Sequence, residues 1–426
     1  MERYYLWNIG CQMNEADAAT VRRGLEAMGL RPTSDPGEAD LVVLITCVVR
    51  QKAEDKVVGR LGSLKNLQRT KPETVISVMG CFVDDRASLE ERFPYVDAFF
   101  EPSDTAGLLK LARERLPLAP SARPDRHLQH SSADRVCALV PISHGCDHRC
   151  TYCIVRLRRG RQRSRSLPEV VAEVTERVQR GARQVTLLGQ NVDAYGQDLV
   201  SPAPNLADLL SAVHQIDGLC RIRFLTSHPA EMSSDLIDAV CRLPKVCPHF
   251  EVPVQSGDDS VLRRMGRGYT VAAYRDLVAE IRERVPGCSI ATDVIVGFPG
   301  ESEAQFQATY DLLTSLRFDT VHIARYSPRP GTPAARLTND VPEAEKERRR
   351  AQLETLQARI AGEINTALMG KSVEVLVEEH QRGRWRGRTS TNKLVYFEDS
   401  ANRRGQLVGV RITWAGPWSL VGEPIH

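Results

Sequence analysis

The sequence predicts an α/β chain in three parts: an N-terminal parallel α/β domain over 1–118, a central incomplete (βα)6 barrel over 132–364 and a small C-terminal β-barrel over 367–426. Three observations predict it. Apolar, β-rich runs alternate with helical patterns through most of the chain, which implies right-handed crossovers and parallel sheets. The last stretch changes to short strands between turn signals. At 426 residues the chain is too long for one core, which rarely grows past roughly 250–300 residues.

In the first part, "YYLWNIGC", "DLVVLITC" and "TVISVMGC" read as strands, and "NEADAATVRRGLEAMG" reads as a helix between two of them. Each strand-like run ends in cysteine. In a parallel sheet the strand ends share one edge, where ligands bind, so Cys11, Cys47 and Cys81 are expected to converge there.

Residues 119–135, rich in Pro, Ser and charge, read as a linker. Beyond it, "CALVPIS", "QVTLLGQN", "RIRFLTSH", "HFEVPVQSG", "IATDVIVGFPG" and "VHIARYSPRPG" give six strands, each ending in polar or Gly/Pro-rich sequence. Six such units suit an incomplete barrel with its site at the carboxyl ends of the strands; a doubly wound sheet is the alternative. From 342 to about 368, Leu353, Leu356, Ile360 and Ile364 recur at helical spacing, so a long amphipathic helix is expected with its charge run as a solvated face. "SVEVLVEE", "KLVYFED", "QLVGVRITWAG" and "WSLVGE" then supply the strands of the small barrel.

A hydrophobic fraction of 42% and a charged fraction of 26% are ordinary for a globular chain. No window approaches the roughly 18–20 apolar residues of a membrane span, and "MERYYLWNIGCQMN" lacks the pattern of a secretory leader. The expected location is the cytoplasm, with no membrane partner. There, 11 cysteines point to metal ligation or buried thiols and not to disulfides. Cys137, Cys220, Cys241, Cys247 and Cys288 are read as packing residues.

Cys146, Cys150 and Cys153 follow C-x3-C-x2-C directly after a strand. Three thiolates suit a 4Fe-4S cluster that keeps one iron open. His144 or His148 completing a zinc site is the alternative. Six arginines from Arg156 to Arg165 follow with no acidic residue among them, and at a barrel mouth they are read as phosphate contacts for RNA, with a solvated loop as the alternative. In "QRGRWRGRTSTNK", five cations surround Trp385, read as a stacking platform for an unpaired base, with a basic hairpin around a packing tryptophan as the alternative.

With Tyr152 before the last cysteine, the C-x3-C-x2-C run resembles the signature of radical S-adenosylmethionine enzymes. The wider chain resembles the methylthiotransferase family, and more narrowly its branch acting on dimethylallylated tRNA. The resemblance is carried in order by "GCQMNEAD", "TCVVRQKAEDK", "VMGC", "CTYCIV", "RGRQRSR", "TLLGQNV", "RIRFLTSHP", "PVQSGDDSVLRRMGRGYT", "DVIVGFPGE" and "YSPRPGTPAA". The segment around Trp385 resembles part of a TRAM domain, an RNA-binding barrel.

The resemblance implies two 4Fe-4S clusters and S-adenosyl-L-methionine. Cys146, Cys150 and Cys153 match the catalytic cluster ligands, and Cys11, Cys47 and Cys81 match those of an auxiliary cluster that carries the sulfur. Tyr152, Gly189, Gln190, Asn191, Gln255, Ser256 and Gly297 are the expected cofactor contacts, with Gly300 beside them. The implied reaction is insertion of a methylthio group at C2 of N(6)-dimethylallyladenosine. The implied partners are the tRNA anticodon stem-loop, a low-potential electron donor of flavodoxin or ferredoxin type, and a sulfur source. The chain departs from the family's usual residues at Ile45 (Asn), Val48 (Ser) and Arg156, Leu157, Arg158 (Pro-Tyr-Thr). Gln12, Met13 and Asn14 replace the Pro-Lys-Asn usual in the branch that modifies a ribosomal protein.

Overall fold

A computed structural model of the chain describes residues 2–48, 51–117 and 136–425; the linker read at 119–135 lies outside the described residues. Two compact units form. One joins the N-terminal residues to Ile154–Arg161, and the other holds the remaining described residues.

In the N-terminal unit, strands β1 (Arg3–Asn8), β2 (Arg31–Pro32), β3 (Leu41–Thr46), β4 (Val75–Gly80) and β5 (Ala98–Phe100) lie parallel in the order β2-β1-β3-β4-β5. Strands β3 and β4 are buried along their whole length. Alternate residues serve two cores: Val42, Leu44, Ile76 and Val78 pack with Val57, Leu61 and Leu64 of the helix Gln51–Thr70, while Leu41, Val43, Ile45 and Met79 pack with Val21 and Leu25 of the helix Gln12–Ala27. Coverage on both faces is why these strands read as unbroken apolar runs. Strands β2 and β5 were not anticipated; at two and three residues they are too short to show a period.

The second unit begins with β6 (Cys137–Pro141) and β7 (Ser143–His144), continues through β8 (Arg163–Ser164), β9 (Gln184–Leu188) and β10 (Arg221–Leu225), and then β11 (His249–Glu251), β12 (Ser289–Val296) and β13 (Thr320–Arg325). The parallel sheets β10-β9-β6 and β11-β12-β13 supply the six expected barrel strands. A parallel bridge from Ile222 to Val246 links them. No pairing joins β6 to β13 among the described residues, so the barrel is open. The antiparallel pair β7 and β8, absent from the sequence reading, clips the two ends of the segment that carries the second cysteine triad.

Helix Glu343–Thr366 buries Leu353, Leu356 and Ile360, as its spacing predicted. Its charge run is not wholly a solvated face. Lys346 is fully buried, its Nζ bonded to Asn339 and Glu343 at 2.8 Å, and buried Arg349 pairs with Glu301 at 2.7 Å. Burial of these cations is tolerated because each is paired and hydrogen-bonded.

Strands β14 (Ser372–Gln381), β15 (Arg384–Thr389), β16 (Leu394–Phe397), β17 (Leu407–Ala415) and β18 (Leu420–Pro424) close a barrel in the order β14-β15-β16-β18-β17. Strand β15 is the run read as an RNA-stacking segment, and that reading is corrected. Trp385 lies in the barrel core with Val395 and Phe397, its Nε1 donating to Asp399 O at 3.1 Å, while Arg384 and Arg386 face outward to Glu398 and Glu379. Trp385→Ala is expected to cost about 3–5 kcal/mol, as for large core aromatics generally, and urea denaturation followed by tryptophan fluorescence checks it.

Candidate functional site

The N-terminal triad sits where the strand-end argument placed it. Cys11, Cys47 and Cys81 directly follow or lie just beyond β1, β3 and β4, which are neighbours in the sheet. The turns are tied together by Ile9 N to Ile45 O at 3.0 Å and Cys81 N to Thr46 O at 3.1 Å. Gly80 has φ +118°, and a Cβ there would stand 2.4 Å from Thr46 O; Gly10 has φ +146°, and a Cβ there would stand 2.8 Å from Cys47 Cβ. Only glycine lets these turns approach so closely. Cys47 and Cys81 are buried and Cys11 is exposed. Burial pushes the Cys81 thiol up, with Arg159 acting against it.

In the second unit, Cys146, Cys150 and Cys153 lie on the loop after β7, each part-buried. Thr151 anchors that loop by its N to Met265 O at 2.9 Å, by its hydroxyl to Arg264 O at 2.7 Å, and by its carbonyl to Ala334 N at 2.9 Å. Arg267, itself buried, donates from Nη1 to Cys150 Sγ at 3.3 Å. Tyr152 packs against Val261, Met265, Phe298 and Tyr326, and burial pushes its phenol well up. Burial also pushes the Cys146 thiol up.

Among the described residues, no three His, Cys, Asp or Glu side chains gather as they would around a single metal ion. A four-iron cluster instead takes its thiolates at separate corners. His148, offered by the sequence as a zinc ligand, is committed elsewhere: its Nε2 pairs with Glu231 at 2.9 Å and its ring stacks on His228 at 3.7 Å.

The remaining expected contacts all fall at the carboxyl ends of barrel strands. After β9, a Cβ at Gly189 would stand 2.6 Å from Ser143 Oγ, Gln190 Oε1 accepts from Gly145 N at 2.5 Å, and Asn191 Nδ2 donates to Glu231. After β11, Gln255 holds φ +73°, a left-handed conformation that costs a non-glycine residue free energy and clusters at functional sites. Ser256 is fully buried, its hydroxyl facing Thr309 and Asp258 N at 3.5 and 3.3 Å, so it braces a turn. After β12, Gly297 at φ +71° donates its N–H to Glu301 at 2.6 Å, and a Cβ there would meet Lys346. Gly300 N donates to Asp340 at 2.7 Å.

Four successive strand ends each leave one buried polar atom without a hydrogen-bond partner: Ser143 Oγ, Asn191 Oδ1, His228 Nε2 and Gln255 Oε1. Orphaned groups of this kind are costly unless a ligand satisfies them. They are the atoms at these strand ends that a polar ligand would satisfy.

Sequence reasoning did not single out His228, Glu231, Asp193 or Arg267, although "TSHP" and "MGRGYT" contain two of them. Burial acts against the charge on Glu231, yet hydrogen bonds from His148 and Asn191 hold its carboxyl below the ordinary range. Burial pushes His228 down to about 3, so its ring is neutral at neutral pH. Asp193 accepts from Ser227 Oγ at 2.9 Å and His228 N at 3.1 Å, and burial still raises its carboxyl from 3.8 to about 7. Between 3.8 and about 7 the folded chain keeps this proton while the unfolded chain has released it, so stability falls as pH rises through that window and levels off above it. Asp193→Asn is expected to remove this part of the slope, read from urea midpoints across the same pH range.

The arginine run also differs from its reading. Arg158 pairs with Asp84 at 2.7 Å, Arg159 reaches Asn14 and Ser103 at 3.0 and 3.1 Å, and Arg165 pairs with Glu173 at 2.7 Å. Arg161 and Arg163 are exposed. The partners of the engaged arginines are carboxylates, an amide and a hydroxyl of this chain, which the local sequence does not contain.

The open parallel barrel with three cysteines after its first strand defines a radical S-adenosylmethionine enzyme: residues 140–313 match the Radical SAM superfamily, residues 3–101 an uncharacterized protein family, UPF0004, and residues 367–425 the TRAM domain. The class implies one 4Fe-4S cluster and S-adenosylmethionine. The chain is 47% identical, over 99% of its length and 89% of the relative's, to a tRNA-2-methylthio-N(6)-dimethylallyladenosine synthase of Roseiflexus sp. (strain RS-1). It is likewise 47% identical, over 100% of its length and 99% of the relative's, to one from Dehalococcoides mccartyi (strain CBDB1). The chain belongs to the family of the tRNA-2-methylthio-N(6)-dimethylallyladenosine synthases. In fold it is similar to the radical S-adenosylmethionine methyltransferase TsrM from Kitasatospora setae, with a TM-score of 0.57 at 15% identity over 79% of this chain and 77% of that one. Among the described residues no helix is long and apolar enough to cross a membrane.

Proposed function

We propose that this chain inserts a methylthio group at C2 of N(6)-dimethylallyladenosine beside the tRNA anticodon, and that it does so with two clusters. The observation that carries the reading is identity of 47% over essentially the whole chain to synthases named for that product. Cys146, Cys150 and Cys153 would hold the catalytic cluster, and Cys11, Cys47 and Cys81 an auxiliary one. When bound, the first supplies the electron that cleaves S-adenosylmethionine to the radical an inert aromatic C–H bond requires, and the second carries the sulfur.

The protein's own part is orientation and shielding. The Glu231 carboxylate, kept ionised by His148 and Asn191, is suited to the cofactor's ammonium; Gln255 Oε1 and Asn191 Oδ1 await its donors. Gly189 and Gly297 let Ser143 and Lys346 pack closely on the strand ends, and Gln190 pins the start of the cysteine loop at Gly145. Arg267 places a positive charge and a donor on Cys150. Tyr152 and Ser256 support the loop and turn from behind.

For tRNA, the anticodon stem-loop meets Arg161 and Arg163 as phosphate partners. The stacking role read for Trp385 passes to Trp414 and Trp418, the exposed aromatics of the C-terminal barrel. The setting is the cytoplasm, where thiols stay reduced; a flavodoxin- or ferredoxin-type protein supplies electrons and a separate source renews the sulfur.

Anaerobic incubation of the cluster-loaded chain with dimethylallylated tRNA, S-adenosylmethionine and a strong reductant, followed by mass spectrometry of the digested nucleosides, tests this. A methylthio-dimethylallyladenosine peak is expected. Abundant 5′-deoxyadenosine without it would turn the assignment to threonylcarbamoylated tRNA or a ribosomal protein as substrate, and no cofactor cleavage at all would sink the enzyme reading.

A further inference from the structure

One side chain stands at the meeting point of all three N-terminal cysteine turns, and it comes from far along the chain. The helix Val155–Arg159 follows Cys153 in sequence yet packs in the N-terminal unit. Ile154 enters that unit's core beside Val48, Cys81 and Phe82. Arg158 fastens the helix to Asp84 at 2.7 Å, and Gly160 at φ +73° ends it. The guanidinium of Arg159 is thereby delivered into the triad. It donates from Nη2 to Asn14 Oδ1 at 3.0 Å and from Nη1 to Ser103 Oγ at 3.1 Å, and its charge acts on the Cys81 thiol.

Asn14 passes the contact on. It is fully buried, and its Nδ2 donates to Ile9 O at 3.0 Å and Thr46 O at 2.8 Å. Those carbonyls belong to the turns carrying Cys11 and Cys47. A carboxamide has one donor end and one acceptor end. With Oδ1 held by Arg159, Nδ2 must face the two turns. The same guanidinium therefore fixes the Cys11 and Cys47 turns through Asn14, and the Cys81 turn through Thr46 O, which also accepts from Cys81 N at 3.1 Å. Ser103 hands its own hydrogen on to buried Asp17 at 3.0 Å, which balances the guanidinium charge.

We propose that Arg159 is the positioning residue of the auxiliary site: it holds the three cysteine turns in register and, as a part-buried cation beside a ligand cysteine, raises the reduction potential of the cluster there. The proposal rests on the two-cluster reading above. A positive charge close to the cluster favours its more negatively charged, reduced state. Nothing in this role requires Arg159 to touch tRNA or S-adenosylmethionine, so it is distinct from the phosphate-binding role the sequence suggested for it.

The test uses the full chain with Cys146, Cys150 and Cys153 all changed to alanine, so that only the N-terminal triad can hold iron, reconstituted anaerobically and titrated by EPR-monitored potentiometry. Arg159→Gln is expected to give a more negative midpoint and altered g values, Arg159→Lys an intermediate shift, and Arg158→Ala a much smaller one, since Ile154 still docks the helix. Loss of iron from Arg159→Gln with retention in Arg158→Ala also supports the role, since the clamp is then needed for loading. The proposal is overturned by an unchanged midpoint and spectrum in iron-loaded Arg159→Gln, or by an equal effect of Arg158→Ala, which would mean that docking of the helix matters and the guanidinium does not. Failure of the two-cluster reading is seen separately: the parent with Arg159 intact would then bind no iron.

Discussion

Cys150→Ala is expected to abolish 5′-deoxyadenosine formation, a loss of several orders of magnitude, while leaving the N-terminal cysteines able to load. Arg267 donates to the Cys150 sulfur, and the neighbouring Thr151 is bonded on three sides to the segments around Met265 and Ala334. Those backbone anchors survive the substitution, so the loop keeps its place and only a ligand is lost. A buried cation is left without its sulfur partner, which destabilises the loop by about 1–3 kcal/mol and does not unfold the barrel. Chromatography of the nucleoside products and iron analysis together check this: cleavage should vanish and bound iron should fall by about half, as expected for two equal clusters. Persistent cleavage would show that this triad is not the radical site. Loss of all iron would show that the two triads do not load independently.

Much of this organisation was legible in the sequence because burial leaves a strong local pattern. Strands β3 and β4 are covered on both faces, so each reads as an unbroken apolar run, and a run that ends in cysteine places that cysteine on the sheet's carboxyl edge. Strand β15 shows the limit of the same logic. Its inward positions are Trp385, Gly387 and Thr389 and its outward ones arginine; the alternation was present, but the density of charge suggested an RNA segment before a strand. The arginines after Cys153 failed for a different reason. Their meaning depends on Asp84, Asn14 and Ser103, residues far away in sequence, and a local window sees only uncompensated charge. His228, Glu231 and Arg267 were missed likewise, because His228 and Glu231 share one short loop and Arg267 lies in another, and their partners His148, Asn191 and Cys150 come from other strand ends. The buried pair of Arg349 and Glu301 was hidden by the exposed charges that surround it on the helix.

Cys47→Ala should separate the two chemistries from the other side: S-adenosylmethionine cleavage continues, and no methylthio product forms. Cys47 closes β3, the central strand of the N-terminal sheet, and its sulfur is almost wholly buried. Deleting one buried sulfur costs on the order of 1 kcal/mol, small against the two cores that flank this sheet, so the unit stays folded. What is lost is the middle ligand, the one whose turn both Gly10 and Asn14 approach, and two thiolates cannot hold the cluster in place of three. None of the strand-end groups of the barrel is altered, so cofactor binding and cleavage have no reason to change. Mass spectrometry of digested tRNA alongside quantified 5′-deoxyadenosine reads both outcomes in one reaction. A methylthio-modified nucleoside from this variant would refute a sulfur-carrying role for the triad, whereas loss of cleavage as well would mean that the radical step itself depends on the N-terminal site.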